Sequence, residues 1–220
     1  MFSPPIFVTN FKNYENVAGA AAVDLAKIHE RVAQKTGATL AVAVSPIDVF
    51  RVSRAVSIPV FSQHVDAIDF GKFTGKILPQ NLKKSGAVGS ILNHSENRIN
   101  SEILPATISL AKKSNLSQIL CAENPDEIEN FAALDPDFLA FEPPELIGST
   151  KKSVASENPA SIEKSVQKSR GIPILVGAGV NSPADIKIAL KLGAAGFLVA
   201  TAVVKNKNPE KKLLEFVAAF

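Results

Sequence analysis

The chain has 220 residues, and 46% of them are hydrophobic, which is enough to bury a large core. Its 24 basic and 21 acidic residues give a formal charge of +3 without a long basic run, so we expect neither a nucleic-acid partner nor a membrane partner. The chain has a lone cysteine, Cys121, and we recognise no signal peptide at its N-terminus. We therefore expect a soluble cytoplasmic protein.

Short β-branched and aromatic runs alternate along the chain with segments of helical apolar spacing. The runs are apolar almost throughout, as is typical of parallel strands covered on both faces. Eight such strands, each leading into a helix-sized segment, favour a closed (β/α)8 barrel, an α/β fold, and without a Pro/Gly/Ser-rich linker residues 1–220 are predicted to form one domain. The predicted strands are Ile6–Asn10, Leu40–Val44, Pro59–Gln63, Gly89–Leu92, Gln118–Cys121, Asp137–Phe141, Ile174–Val176 and Gly196–Val199.

Three of the intervening segments repeat apolar residues at spacings of three and four, which predicts one buried face on each helix. These faces are Ala21, Leu25, Ile28 and Val32, then Leu104, Ile108 and Ala111, then Leu213, Val217 and Phe220. The segment Phe61–Leu82 has little periodicity, and a loop of that length usually has a function or forms an interface.

Chemistry in such barrels is found where the strands end. The first predicted strand ends with Asn10, and Lys12 follows two residues later, so in extended chain both side chains lie on one face with Phe11 opposite. An ammonium there could attract a phosphate or an oxyanion. Taken alone, however, the pair is better explained as a solvated surface lysine.

The fourth strand leads into His94, which precedes a predicted helix start at Ser95 and Glu96. The N–H groups and dipole of a helix start favour a neutral imidazole, which can donate a hydrogen bond to a carbonyl. A purely structural histidine remains the alternative, and Glu96 with Arg98 could be a local ion pair. His29 and His64 are assigned no chemistry.

The sixth strand is followed directly by Glu142, where a poorly solvated carboxylate suits a general base for a weakly acidic C–H. Pro143 and Pro144 stiffen the chain after it, and a Gly148-Ser149 tip predicts a mobile lid. The alternative is an exposed loop with a capping glutamate, which an apolar Leu146-Ile147 pair at the tip disfavours.

Small residues follow the last two strands, as Gly177-Ala178-Gly179 and as Ala200-Thr201-Ala202. These are the two loops that usually hold phosphate in barrel enzymes, and small side chains let an anion approach the backbone N–H groups. Each turn alone is weak evidence, but both together at these positions favour a phosphate site.

Together these motifs resemble triosephosphate isomerase in its archaeal form, from the first strand to the last helix of a TIM barrel. The matching motifs are Asn10-x-Lys12, Asn93-His94-Ser95-Glu96-x-Arg98, Glu142-Pro143-Pro144-Glu145-Leu146-Ile147-Gly148, Gln63-His64-Val65-Asp66 and Phe73-Thr74-Gly75. The resemblance implies interconversion of dihydroxyacetone phosphate and glyceraldehyde 3-phosphate through an enediolate, in glycolysis and gluconeogenesis, without metal or cofactor.

The resemblance also implies a role for each residue. Glu142 would be the base, neutral His94 would polarise the carbonyl, and Lys12 with Asn10 would stabilise negative charge. Ser95 would hold Glu142 while the lid is open, and Glu96 would pair with Lys12 or Arg98. The phosphate would be bound by residues of the lid and of the loops after the last two strands. These residues are Ile147, Gly148, Gly179, Ala200 and Thr201. The loop around Thr74 would reach into a second subunit of a homodimer or homotetramer.

The chain departs from the family pattern at Asn13, Asn97, Thr150 and Ala202, none of which is among the four catalytic positions, so we expect activity.

Two alternative functions remain open from the residues. One is another phosphate-binding barrel enzyme, such as a phosphosugar isomerase or an aldolase, and the other is a non-catalytic descendant that binds a sugar phosphate or a protein.

Overall fold

The computed structural model describes residues 4–146 and 152–220. Its strands are parallel, each pairs with the next, and β8 closes the sheet by pairing with β1. The strands are β1 (Ile6–Asn10), β2 (Thr39–Val44), β3 (Val60–Ser62), β4 (Gly89–Leu92), β5 (Ser117–Ala122), β6 (Phe138–Phe141), β7 (Ile174–Val176) and β8 (Gly196–Val199). The predicted (β/α)8 barrel is therefore confirmed, with strand bounds that differ by at most one residue at either end.

Helices cover the outside of this barrel. They are α1 (Ala20–Thr36), α2 (Val49–Ser53), α3 (Pro79–Lys84), α4 (Leu104–Lys113), α5 (Pro125–Ala132), α6 (Val154–Glu157), α7 (Pro159–Lys168), α8 (Pro183–Lys191), α9 (Thr201–Val204) and α10 (Pro209–Val217). Two 3-10 turns, Glu15–Val17 and Pro144–Leu146, follow β1 and β6. Among the described residues, no helix is long and apolar enough to cross a membrane.

Local sequence explains where several helices begin. Asn124, Ser182 and Asn208 each stand before a proline at the first helical position, and each side chain accepts a hydrogen bond from the first turn of its helix. Proline suits that position because its φ is already helical and its missing N–H has no partner there anyway. These signals make the helix starts readable from sequence.

Side chains alternate between two cores. Ile6 and Val8 of β1 point into the barrel, where they join an interior cluster that includes Phe61, while Phe7 points outwards to the layer between barrel and helices. Period-two alternation of a strand that is covered on both faces produces this division. Because all eight strands are parallel, their carboxyl ends meet at one rim of the barrel.

The predicted helix faces are right in part. Leu104, Ile108 and Ala111 are all buried, as predicted. In α1, Ala21 and Ile28 are only half-buried, whereas small or polar Ala22, Ala26 and His29 join Leu25 and Val32 in the core. Apolar spacing missed this rotation because it did not count a histidine as a core residue. At the C-terminus, α10 ends at Val217, and Phe220 stacks on Phe197 from beyond the helix.

Candidate active site

A cavity at the carboxyl ends of the strands is lined by predicted site residues that come from opposite sides of the barrel. Asn10 comes from β1, His94 from the loop after β4, and Glu142 from the residue after β6. The cavity is lined by Asn10, Lys12, His94, Glu142, Gly177, Gly179, Val180, Asn181, Leu198, Val199, Ala200, Thr201 and Ala202. Strand ends that are far apart in sequence therefore form a single site.

Lys12 reaches the cavity by a different route from the predicted one. The strand ends at Asn10, and Lys12 adopts a left-handed backbone conformation with φ of 52°, so the two residues do not share a strand face. A non-glycine residue in this conformation is uncommon, and such residues concentrate at functional sites. The turn places both side chains on the cavity wall.

The Asn10 side chain is oriented by its neighbours. Its Oδ1 accepts hydrogen bonds from the Lys12 N–H at 3.0 Å and from Gln63 Nε2 at 3.2 Å. Gln63 Nε2 also donates to the Lys12 carbonyl at 2.9 Å. Because the Asn10 oxygen is occupied, its Nδ2 is the end left to donate towards a substrate. The sequence pattern does not predict this role for Gln63, although its place directly after β3 is an available signal.

The Lys12 ammonium is paired with a carboxylate. Its Nζ lies 2.5 Å from Glu96 Oε1, and the lysine side chain is 10% exposed whereas the glutamate side chain is 58% exposed. Arg98 instead contacts Glu123 at 3.5 Å and also Glu127. Of the two partners expected for Glu96, the structure shows Lys12, so the cation inside the cavity is held from its solvent side.

His94 lies in a turn and not before a helix. The chain turns back at once, with Asn97 N donating to the His94 carbonyl at 2.8 Å, and α4 begins only at Leu104. The predicted helix start at Ser95 and Glu96 is wrong because Asn93 has φ of 58° and its side chain accepts from Ile99 N, which ties the segment into a compact loop.

The tautomer of His94 follows from its backbone neighbour. Nδ1 accepts a hydrogen bond from Glu96 N–H at 3.1 Å, so in the neutral ring the proton is on Nε2. That nitrogen lies 3.8 Å from Glu142 Oε2. The imidazole therefore presents an N–H to the cavity beside the carboxylate, without any help from a helix dipole.

Glu142 supplies a buried carboxylate to the cavity. The residue is 5% exposed, and its Oε2 has no hydrogen-bond partner among the described residues. Burial, and then the negative charge of the adjacent Glu142 carboxylate, raise the pKa of the Cys121 thiol well above its ordinary value. Cys121 is the second neighbour that sequence reasoning missed, because β5 and β6 pair it next to the residues that lead to Glu142.

Ser95 is half-buried in the turn after β4, and no hydrogen bond within residues 4–146 and 152–220 joins it to Glu142. Its role stays a prediction. Ile147 and Gly148, which were predicted to contact the phosphate, lie outside the described residues, as do Ser149 and Thr150.

The opposite wall of the cavity is made of small residues. Gly179 has φ of 67°, and Ala200 stands immediately before α9, which begins at Thr201. The loop after β1 supports this wall through Tyr14. Its Oη lies 3.3 Å from Thr201 Oγ1, and Lys205 Nζ lies over its ring at 4.2 Å. Backbone N–H groups next to small side chains can bind an anion such as phosphate.

No group of three or more His, Cys, Asp or Glu side chains in the described part of the chain could hold a metal ion. The groups that the cavity does contain are a buried carboxylate, an imidazole N–H, an ammonium and an amide. They can move a proton and stabilise an oxyanion next to a bound phosphate.

The fold and cavity thus define a (β/α)8-barrel enzyme of the class that performs acid–base chemistry on small phosphorylated substrates. Residues 5–219 match the family model described as triosephosphate isomerase. The chain belongs to the triosephosphate isomerase family.

Similar proteins support this membership over nearly the whole chain. The chain is 39% identical to the triosephosphate isomerase of Saccharolobus solfataricus, with 98% of this chain and 96% of that protein covered. It is 40% identical to the triosephosphate isomerase of Methanobacterium bryantii, covering 97% and 96%, and 38% identical to that of Methanocaldococcus jannaschii, covering 96% and 98%. The family decides between the alternatives left open by the residues, against an aldolase and a non-catalytic descendant.

Proposed function

We propose that this chain interconverts dihydroxyacetone phosphate and glyceraldehyde 3-phosphate in the cavity that joins His94 to Glu142. As a member of the triosephosphate isomerase family it is an isomerase, with a place in glycolysis and gluconeogenesis. The observation that carries the proposal is the Glu142 carboxylate, which is buried, has Oε2 without a partner in the described residues, and lies 3.8 Å from His94 Nε2.

Glu142 is the general base of the proposed reaction. Its carboxylate takes the proton from the carbon next to the substrate carbonyl and returns it to the neighbouring carbon, which converts ketose to aldose through an enediolate. A base with an oxygen free of hydrogen bonds can accept this proton without first losing a partner. The proton moves between two neighbouring carbons, so the carboxylate must be held in place within reach of both.

His94 acts on the oxygens. Its Nε2–H donates to the carbonyl oxygen as negative charge develops there, and the ring then passes a proton between the two substrate oxygens. Since Nδ1 already accepts from the Glu96 N–H, the ring stays in the orientation that points Nε2 to the cavity. A neutral donor polarises the carbonyl without placing a full charge beside Glu142.

Lys12 and Asn10 stabilise the negative charge on substrate and enediolate. The 2.5 Å contact with Glu96 keeps the ammonium at the cavity rim, and the contacts from Gln63 keep the Asn10 amide turned inwards. Groups that are already oriented need no reorganisation during the reaction. Gly179, Ala200 and Thr201 would bind the phosphate, and Ile147 and Gly148 stay predicted contacts from outside the described residues.

We also place the chain in the cytoplasm, as one barrel domain over residues 1–220 that assembles with itself. The loop after β3 supports this assembly. Asp66 ties its two ends together through Ile77 N at 2.7 Å and Lys76 Nζ at 3.2 Å, and Phe73 and Thr74 are exposed at its tip.

The surface that would receive this loop lies beside Lys12. A second cavity opens there, lined by residues that include Asn13, Gln63, His64, Glu96 and Asn97. The Thr74 loop of a second copy would fill it and shield the Lys12–Glu96 pair from water, in a homodimer or a homotetramer.

The direct test replaces the base. Glu142→Gln keeps the volume but removes the proton acceptor, and we expect a coupled assay with dihydroxyacetone phosphate to show kcat lower by roughly 10²–10⁴-fold. Glu142→Asp moves the carboxylate back and should lower kcat far more than it weakens binding. Binding of phosphoglycolate, which mimics the enediolate, is the control for an intact cavity. Equal turnover in wild type and Glu142→Gln would refute the mechanism.

A further inference from the structure

The carboxylate of Asp185, in the first turn of α8, is a buried junction outside the catalytic groups. The residue is 7% exposed. Its Oδ1 accepts from Ser153 Oγ at 2.5 Å, and its Oδ2 accepts from Asn181 N at 3.0 Å, Ser182 N at 2.9 Å and Ser182 Oγ at 2.8 Å. Both oxygens are therefore occupied by donors from three different residues.

Helix capping explains only part of this arrangement. Ser182 and Asp185 form a capping box, in which Ser182 Oγ also accepts from Asp185 N. The capping box does not need Ser153, which is 32 residues away in sequence, nor the N–H of Asn181. Ser153 Oγ accepts from Ser156 N at 3.0 Å and also lies 3.0 Å from Ser156 Oγ. Its single hydroxyl proton goes to Asp185, because the carboxylate oxygen is the shorter contact and can only accept.

The segment Lys152–Val154 packs directly on the turn after β7. Val154 N donates to the Ala178 carbonyl at 3.3 Å. A Cβ on Gly179 would lie 2.2 Å from the Lys152 carbonyl oxygen and 2.8 Å from Ser153 Cα, so the two backbones approach as closely as glycine allows. The Ser153–Asp185 hydrogen bond joins the segment Lys152–Val154 to the residues that follow the turn.

The same turn lines the cavity. Gly179, Val180 and Asn181 all face it, and Asn181 Nδ2 donates to the Gly179 carbonyl at 2.7 Å. Because the N–H groups of Asn181 and Ser182 point to Asp185, they are directed away from an anion in the cavity. The direction of the Gly179 peptide then depends on how Asp185 holds the residues that follow it.

We propose that Asp185 and Ser153 are positioning residues for the substrate phosphate, since together they hold the turn Gly177–Ser182 against Lys152–Val154 in the shape that binds it. The inference rests on the proposed isomerase function and deepens it. Neither side chain needs to touch the substrate, so their effect should follow the phosphate and not the carbons that react.

The test compares Ser153→Ala with a matched control, Ser156→Ala. Both remove half of the capping box of α6, but only the first takes a donor from Asp185. We expect Ser153→Ala to raise KM for glyceraldehyde 3-phosphate and the Kd of phosphoglycolate roughly tenfold, as for a lost hydrogen bond to a charged group. Ser153→Thr, which keeps the hydroxyl, should restore both values.

A substrate without phosphate separates positioning from general damage. With glyceraldehyde, followed by NMR, kcat/KM of Ser153→Ala should stay close to that of wild type, since no phosphate is bound. Asp185→Asn is the second variant if Ser153→Ala does not fold, and it should show the same split with a larger effect.

An equal loss on both substrates, or a Ser153→Ala enzyme that matches wild type on the phosphorylated one, would overturn the inference and leave the isomerase function standing. A wild-type chain without activity on glyceraldehyde 3-phosphate would instead overturn both.

Discussion

The Glu142 carboxylate occupies space that only a glycine at position 177 leaves open. A Cβ on Gly177 would lie 2.4 Å from Glu142 Cγ and 2.6 Å from Oε1. Gly177 is not among the glycines with positive φ, so space and not backbone conformation is what this position requires. The base is therefore confined by shape on the side of Gly177.

Gly177→Ala should displace the base and leave the fold intact, since the atoms it meets belong to a side chain that can move. A shift of about 1 Å at a catalytic group can lower the rate by roughly 10²-fold, and we expect a loss of kcat of that order. Steady-state kinetics together with thermal unfolding would check this.

Gly196→Ala is the contrasting variant. Its Cβ would lie 2.1 Å from the Ile6 carbonyl oxygen, which is backbone of the neighbouring strand and cannot step aside. This variant should lose stability, whereas Gly177→Ala should lose turnover at a nearly unchanged melting temperature. A Gly177→Ala enzyme with wild-type kcat would show that Glu142 is not confined in this way.

At the scale of elements, α1 is joined to β1 by a histidine that sequence reasoning left without a role. His29 Nδ1 donates to the Leu25 carbonyl at 2.8 Å, and Nε2 accepts from Thr9 Oγ1 at 2.7 Å. The ring is fully buried, and burial lowers the pKa of His29 from 6.5 to about 4. Thr9 directly precedes Asn10, so this contact also supports the strand end that carries a catalytic residue.

Because the pKa of His29 is lower in the folded chain than in the unfolded chain, folding favours the neutral ring. Its contribution to stability is complete above pH 6.5 and is lost as the pH falls towards about 4, since only the unfolded state takes up the proton in that window. We expect the free energy of unfolding to fall there by up to about 1.4 kcal/mol per pH unit from this residue.

Urea unfolding of wild type and His29→Gln across this window would measure the effect as a difference. Glutamine can bond to Thr9 but does not titrate, so the variant should be less dependent on pH while carboxylates contribute equally to both proteins. Parallel stability curves for the two proteins would contradict the assignment.

At the scale of the whole molecule, large exposed apolar side chains occur in the loops after β2 and β3 and in α2, which contains Phe50. Ile47 is 85% exposed, Phe50 61% and Phe70 60%, and Phe73 is 43% exposed near Thr74. Clusters of exposed apolar residues beside a cavity are typical of an interface. They support the proposed assembly of the chain with itself.

Phe73→Asp should weaken this assembly, because a two-fold interface would contain the new charge twice. We expect the Kd for self-association to rise roughly tenfold or more, measured by light scattering over a range of concentrations. Ile188→Asp is the control, since Ile188 is 39% exposed on α8, away from the loop. An unchanged mass distribution for Phe73→Asp would exclude this loop from the interface.

Much of the fold could be predicted from sequence because its signals are local. Apolar runs gave the strands to within a residue or two, and Asn-Pro and Ser-Pro pairs mark helix starts. The rule that barrel chemistry lies at strand ends selected Asn10, His94 and Glu142, which do line one cavity. The predicted helix start at Ser95 failed because the side chain of Asn93 competes with helix formation by bonding Ile99 N.

The succession of strands and helices and the types of residue at each strand end can be predicted from the sequence, since both depend on neighbours along the chain. Which of these residues meet is a property of the folded barrel. Barrel closure brings Lys12 to Glu96, Cys121 to Glu142 and Ser153 to Asp185. Contacts of this kind depend on strand register and loop path, which arise from packing the whole chain and leave no local pattern to read.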